Sequence, residues 1–314
     1  MLQFQRNLNP NRAPIWKGLK KIFSDVIRPH TGMIQEECHH NVKVDEDDAI
    51  KRYEKLSAIA NKAAEDFKSL TKEAHAISIA EEFKNQSTVF EAKWHKKSIR
   101  TNDEIMNIVI KSIKSSLLRN HNYIPVNTLN ALDVACGTGV FTRALAKSGW
   151  CKKVTGIDFT MEMLEKANLT KTTTLEDEDE NKNKNKNSID SNVITYIQGD
   201  AANMSQLESN SFDLVTSRLA IHHFYDPIKQ IQEMERVCKP GGMVVVVDII
   251  SPPPSRVTST DVDVDVDVDV DVDNTVANIY NYLERLRDPS HIRSLTPEEM
   301  IQALEKVNLV VDKE

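Results

Sequence analysis

No apolar run in this 314-residue chain approaches the roughly 20 residues that would span a bilayer, so no transmembrane segment is expected. Cysteine is scarce. Cys38, Cys136, Cys151 and Cys238 stand without C-x-x-C spacing, which argues against a disulfide framework and a zinc site and suits a reducing compartment. Cys38-His39-His40 has acids nearby but no second half-site, and no metal is expected there. Basic patches interleaved with aromatics are also missing, so nucleic acid is not an expected partner. Glycine and proline are both absent from 33 to 124, a stretch that therefore reads as helical. Even the acidic balance is local: the formal net charge of -7 equals the seven aspartates of the Asp-Val alternation at 261 to 273. The remaining 40% apolar content is ordinary for a water-soluble fold.

What is present is concentrated at residues 131 to 142, Ala-Leu-Asp-Val-Ala-Cys-Gly-Thr-Gly-Val-Phe-Thr. Leu132 and Val134 supply a buried strand, Gly137 and Gly139 let the backbone pass close to a ligand, and Val140, Phe141, Ala144 and Leu145 begin an apolar helical face. Strand, glycine turn and helix in that order form a nucleotide-type cofactor site. Asp133 selects the ligand. A carboxylate at this strand tip repels a pyrophosphate but suits an ammonium and a sulfonium, which favours S-adenosylmethionine over a dinucleotide. The dinucleotide fingerprint G-x-G-x-x-G also fails, with Ala135 at its first position and Thr142 at its last.

Further strands follow at workable spacing. Val154 to Asp158 reads as a second strand, with Asp158 placed to accept from both ribose hydroxyls, and is followed by a helix from Met161. Val193 to Ala201 reads as a third, its terminal Asp200 suited to the adenine amino group. Phe212 to Arg218 is a fourth, Ile228 to Val237 a helix, and Lys239-Pro240-Gly241-Gly242 a turn into a continuous apolar run, Met243 to Ile250, read as a fifth and buried strand. In an open parallel sheet the three acids converge on the crevice beyond the carboxyl ends of the strands.

On these residues the chain resembles the class I S-adenosylmethionine-dependent methyltransferases of the small-molecule type, akin to the ubiquinone/menaquinone C-methyltransferases. The resemblance covers about 84 to 314 and rests on LDVACGTG at 132, GIDFTMEML at 156, QGDA at 198, FDLVTSRLAIHHF at 212 and RVCKPGG at 236. It implies a Rossmann-like α/β fold, a mostly parallel sheet with helices on both faces. It further implies that Asp133, Gly137 and Gly139 contact the methionine part of the cofactor, Asp158 the ribose, Met161 the edge of the adenine pocket, and Asp200 with Ala201 the adenine. Arg218 would lie over the cofactor. Ala135 departs from the glycine that the family often has there. The implied chemistry is in-line displacement onto a small-molecule methyl acceptor, which depends mainly on geometry. His222 and His223 follow the fourth strand, where the acceptor approaches, and are candidates for a base or orienter; the competing reading is that one of them only packs. Arg287, His291 and Arg293 are second candidates for holding an anionic acceptor, against a role in bracing their own loop.

Around this domain, 84 to 314, lie segments of other character. Residues 1 to 30 carry six basic residues against Asp25 with an apolar helical face, which resembles an organelle presequence; cytoplasm and mitochondrion both stay open. From 31 to 83 a helical extension is expected, with Leu56, Ala60, Ala63, Phe67, Leu70, Ala74 and Ile77 on one continuous seam that packs on the domain or forms a homodimer. Low-complexity inserts at 171 to 191 and 256 to 274 read as solvated loops. Thr296-Pro297-Glu298-Glu299 starts a helix leading to a sixth strand at Leu309-Val310-Val311. No residues remain for the reversed seventh strand of the resembled family, implying an unfilled slot or an exposed edge. Two other readings therefore stand beside an active methyltransferase: a cofactor-binding but catalytically weak interaction protein, and a nucleotide-dependent oxidoreductase, which the glycine spacing and Asp133 disfavour.

Overall fold

A computed structural model describes residues 46–86, 107–116, 118, 127–171, 192–252 and 275–310. In chain order its elements are α1 (Glu46–Phe67), α2 (Lys72–Gln86), β1 (Leu129–Val134), α3 (Val140–Lys147), β2 (Cys151–Asp158), α4 (Met161–Leu169), β3 (Ile194–Gln198), β4 (Phe212–Arg218), α5 (Pro227–Val237), β5 (Cys238–Val247), α6 (Thr275–Arg287) and α7 (Pro297–Lys306). A further helical stretch covers 107–116. The described residues from Ser57 onward belong to one compact unit, and residues 46–56 group apart from it.

All five strands pair in parallel, in the order β3-β2-β1-β4-β5. The order reverses between β1 and β4, so the crevice of a doubly wound sheet opens above β1, β2 and β4. Side chains alternate across the sheet and fill a core on each face. Ala131, Val154 and Leu214 join Phe141 and Leu145 of α3 and Ile113 of the 107–116 helix. Leu132, Ile157 and Val215 join Met234 and Val237 of α5 on the other face. Leu132 has no exposed surface, and taking such a side chain out of water contributes about 2 kcal/mol.

The fold matches the expected class, with four local differences. The extension is not one helix. Ser69 Oγ donates to the Asp66 carbonyl at 2.6 Å, and Thr71 Oγ1 accepts from the Ala74 amide at 3.2 Å, capping α2 afresh. Hydroxyl side chains thus break the helix without glycine or proline, and Ile77 of the supposed seam is 61% exposed. The turn at 239 to 242 is a bulge inside β5: Phe212 pairs with Cys238 and Leu214 with Met243, so one residue of β4 opposes four of β5. The apolar run is only half-buried, because β5 is the sheet edge among the described residues, and it stops at Val247, where Asp248 interrupts it. Leu309 and Val310 form no strand. Asn308 takes φ 64, the Asn308 and Leu309 amides donate to the Glu305 and Leu304 carbonyls at 3.0 and 3.2 Å, and this left-handed cap turns the chain outward, leaving Val310 97% exposed. The start of α7 has the capping box in both directions, between Thr296 and Glu299, as its sequence requires. The basic segment 1 to 30, Cys38-His39-His40, the Asp-Val alternation, 176 to 187 and Val311 lie outside the described residues.

Candidate functional site

The glycine turn is held by β2. Cys136 donates its amide to the Ile157 carbonyl at 3.1 Å, and Gly137 donates its amide to Asp158 Oδ2 at 2.7 Å. Asp158 Oδ1 accepts from the Thr160 amide at 2.9 Å, so one carboxylate ties the turn to the start of α4. Three residues of the turn take left-handed backbone: Ala135 (φ 55), Gly137 (φ 54) and Gly139 (φ 78). Glycine at 139 is also forced by space, because a Cβ there would lie 2.1 Å from Tyr196 Oη and 2.7 Å from its Cζ. Ala135 occupies such a conformation with a side chain, at a cost of about 1–2 kcal/mol.

Asp133 lies beneath this turn, 1% exposed. Its Oδ2 accepts from Thr142 Oγ1 at 2.6 Å, and Thr216 Oγ1 stands 3.1 Å from Oδ1. Burial pushes its carboxyl up to about 6, against the two hydroxyls and the positive charge of Arg218. Burial likewise raises Asp158 and lowers Arg218, which the charge of Asp133 partly restores. Asp200 follows β3, with Oδ1 accepting from the Ala202 amide at 2.8 Å; Ala201 is half-buried beside it. Met161 opens α4 at 44% exposure, and its neighbour Phe159, which sequence reasoning passed over, is 45% exposed. Two uncovered apolar side chains flank Asp158, which is how an apolar ring edge would be received. Strand ends therefore bring Asp133, Asp158, Asp200 and Arg218 to one side of the sheet.

The donor set fits S-adenosylmethionine. A sulfonium or ammonium would favour the ionised form of Asp133, which burial penalises, whereas a pyrophosphate would add repulsion.

A second cluster lies beyond β4 and β5. Leu219 has φ 53, rare for a branched side chain, and donates its amide to the Val247 carbonyl at 2.7 Å. This bend delivers a short 3-10 turn, Ile221–His223. His222 Nδ1 donates to Asp248 Oδ1 at 2.5 Å, while Asp248 also accepts from the His222 and Ile249 amides. His223 Nδ1 lies 3.1 Å from Ser290 Oγ and 3.2 Å from the Ser290 carbonyl, and its Nε2 is 3.9 Å from Asp288 Oδ2. His291 Nε2 donates to Asn281 Oδ1 at 3.0 Å, and its buried Nδ1 has no hydrogen-bond partner among the described residues. The rings of His222 and His223 are 4.0 Å apart, those of His222 and His291 5.3 Å. Burial, then the neighbouring His222, lowers the pKa of both His223 and His291.

The extension reaches this cluster. His75 Nε2 donates to the His223 carbonyl at 2.7 Å, and Phe83 meets the His223 ring edge-on at 5.1 Å. Other named residues are occupied elsewhere. Arg287 pairs with Glu284 at 2.5 Å on α6, and Arg293 with Glu299 at 2.7 Å on α7. Sequence reasoning missed His75, Asp248, Asn281 and Asp288. Only Asp248 carried a signal, as a fourth acid closing a strand.

Comparison with known proteins agrees with this geometry. A family model described as a methyltransferase domain matches residues 132–246. The chain is 38% identical over 125 residues to a demethylmenaquinone methyltransferase of Staphylococcus aureus strain MRSA252, covering 40% of this chain and 44% of that protein. A relative of the same name from strain JH9 is 39% identical over 123 residues, again 44% of its length. The chain thus spans less than half of the curated relatives it matches. Among solved structures, the YcgJ protein of Bacillus subtilis aligns at 24% identity and TM-score 0.48, over 67% of this chain and 70% of its own. Residues 132–246, which carry the parallel sheet, the glycine turn and the strand-end acids, are thus similar to a family described as a methyltransferase domain.

Proposed function

We propose that the chain transfers the methyl group of S-adenosylmethionine to a small organic acceptor by in-line displacement. When bound, the cofactor supplies an electrophilic methyl group on a sulfonium. The chain's own residues hold and orient it. Asp158 is placed to accept from the ribose hydroxyls, Asp200 with Ala201 to receive the adenine amino edge, Phe159 and Met161 to cover the ring, and Asp133 with the glycine turn to receive the methionine end. Arg218 ends β4, and its charge acts on Asp133. His222 and His223, in the turn after β4, are the groups assigned to the acceptor side.

The observation that carries this reading is the Asp158 carboxylate, which bridges the Gly137 amide and the start of α4 and so sets loop and ribose site together. The curated relatives are named for demethylmenaquinone; for this chain the acceptor is assigned only as a small organic molecule. The test is isothermal titration with S-adenosylmethionine and, separately, NADH. Micromolar binding of the former alone is expected. Asp158→Ala should weaken it about 10- to 100-fold, the range for losing hydrogen bonds to a charged group. Binding of NADH alone, or unchanged affinity in a folded Asp158→Ala chain, would refute the assignment.

A further inference from the structure

Three histidines meet beyond β4, and their ring nitrogens are not equally occupied. His223 has Nδ1 on Ser290 and Nε2 facing Asp288. His291 is 1% exposed, with Nε2 on Asn281 and Nδ1 sealed from solvent. His222 differs from both. Its Nδ1 is bonded to a carboxylate whose side chain is 2% exposed, and no described residue hydrogen-bonds its Nε2. Asp248 receives three donors: the ring of His222, the amide of His222 and the amide of Ile249. A carboxylate oxygen accepts, so Nδ1 carries the proton of that bond and Nε2 is the ring nitrogen left for a ligand.

The backbone around His222 is equally fixed. The Ile292 and Arg293 amides donate to its carbonyl at 2.9 and 3.2 Å, and the strained Leu219 sets the bend that precedes it. The charged or titratable groups around the ring include Asp248, His223 and His291, with Tyr280 near Asp248, His75 and Asp288 behind His223, and Arg285 and Arg287 beyond His291. Arg287 and Arg293 have glutamate partners.

Resting on the methyl-transfer reading above, we propose that Asp248 is a positioning residue that fixes His222 in the tautomer whose Nε2 takes a proton from the methyl acceptor. The acceptor is then a molecule that must lose a proton on methylation, such as a phenol, an enol or an acidic C–H compound, rather than a tertiary amine or a thioether. In the step, an electron pair of the acceptor atom forms the bond to the methyl carbon as the carbon–sulfur bond breaks. The pair of that broken bond stays on sulfur, which becomes a neutral thioether. The acceptor's proton passes to His222 Nε2, and the imidazolium so formed is paired with Asp248 until solvent removes the proton.

Two measurements on the full chain test this, after titration with S-adenosylmethionine has shown that the cofactor binds; if it does not, the methyl-transfer reading fails first and separately. The first is 15N NMR of the histidine rings. His222 should carry its proton on Nδ1 with Nε2 unprotonated, and Asp248→Asn should disturb that tautomer while cofactor affinity stays within about threefold. A wild-type His222 with its proton on Nε2 overturns the proposal. The second is methyl transfer to phenols of graded acidity, with trimethylamine and dimethyl sulfide as proton-free acceptors. Transfer confined to the phenols is expected, reduced about a hundredfold or more in His222→Gln and Asp248→Asn, with the smallest loss for the most acidic phenol at high pH. Transfer to the amine or sulfide alone, or equal losses for every phenol at every pH, also overturns it. If no acceptor in the panel is methylated, the ring tautomer decides.

Discussion

The cofactor side and the histidine side of this molecule are built from opposite kinds of sequence. Asp133, Gly137, Gly139 and Asp158 lie within 26 consecutive residues, each at the end of an element or in the turn that follows it. The histidine cluster draws on His75 of α2, His222 and His223 after β4, Asp248 after β5, Asn281 of α6 and the 288–291 loop. Local sequence suffices for the first because a glycine turn between a strand and a helix brings its own ligands into register. The second exists only after the chain has folded, and its polar groups are satisfied by one another rather than by neighbours in sequence.

The largest way to break the contrast is to crowd the glycine turn. Gly139→Ala should destabilise the fold by about 2–4 kcal/mol, combining left-handed strain with overpacking against Tyr196. Thermal or urea unfolding measures this. Adding Tyr196→Leu should recover more of the loss than Tyr196→Phe, which keeps the ring carbon 2.7 Å away. Equal recovery by both would mean that strain at φ 78, rather than the ring, dominates.

A smaller effect sharpens the comparison through pH. The carboxyl of Asp133 is raised to about 6 by burial, and a cationic ligand prefers it ionised. Affinity for S-adenosylmethionine should therefore rise as pH increases through about 6 and level off above it, while Asp133→Asn flattens the profile. For folding the sign is opposite. With a folded pKa above the unfolded value, this group's contribution is full at low pH and declines as pH rises through about 6. Titration at several pH values checks the first and denaturation checks the second.

The smallest expected change is Ala135→Gly. Relief of left-handed strain is partly offset by the greater freedom of glycine in the unfolded chain, leaving a gain of about 0.5–1 kcal/mol, seen as a rise of a few degrees in Tm. No gain would mean that the turn holds alanine without strain.

Legibility followed the same division. Strands β1, β2 and β4 were readable to within about three residues because most of their length is buried. The break at 68 to 71 was not, since it depends on Ser69 and Thr71 competing for backbone groups inside an otherwise helical composition. Asp248 was absorbed into an apolar run, because one acid among valines and isoleucines reads as noise until His222 is seen across from it. Leu309 and Val310 have strand composition, yet Asn308 ends α7 by turning left-handed, and no neighbouring strand receives them among the described residues.

The hydrogen bond from Gly137 to Asp158 joins the turn to a neighbouring strand before any ligand arrives. A carboxylate has about four acceptor positions, so a further donor can be received without releasing the loop. The conformational freedom of the turn is thus given up when the sheet assembles rather than at the moment of encounter. Recognition then begins from a shape already set, and the cofactor's own affinity is not diminished by having to order the surface it meets.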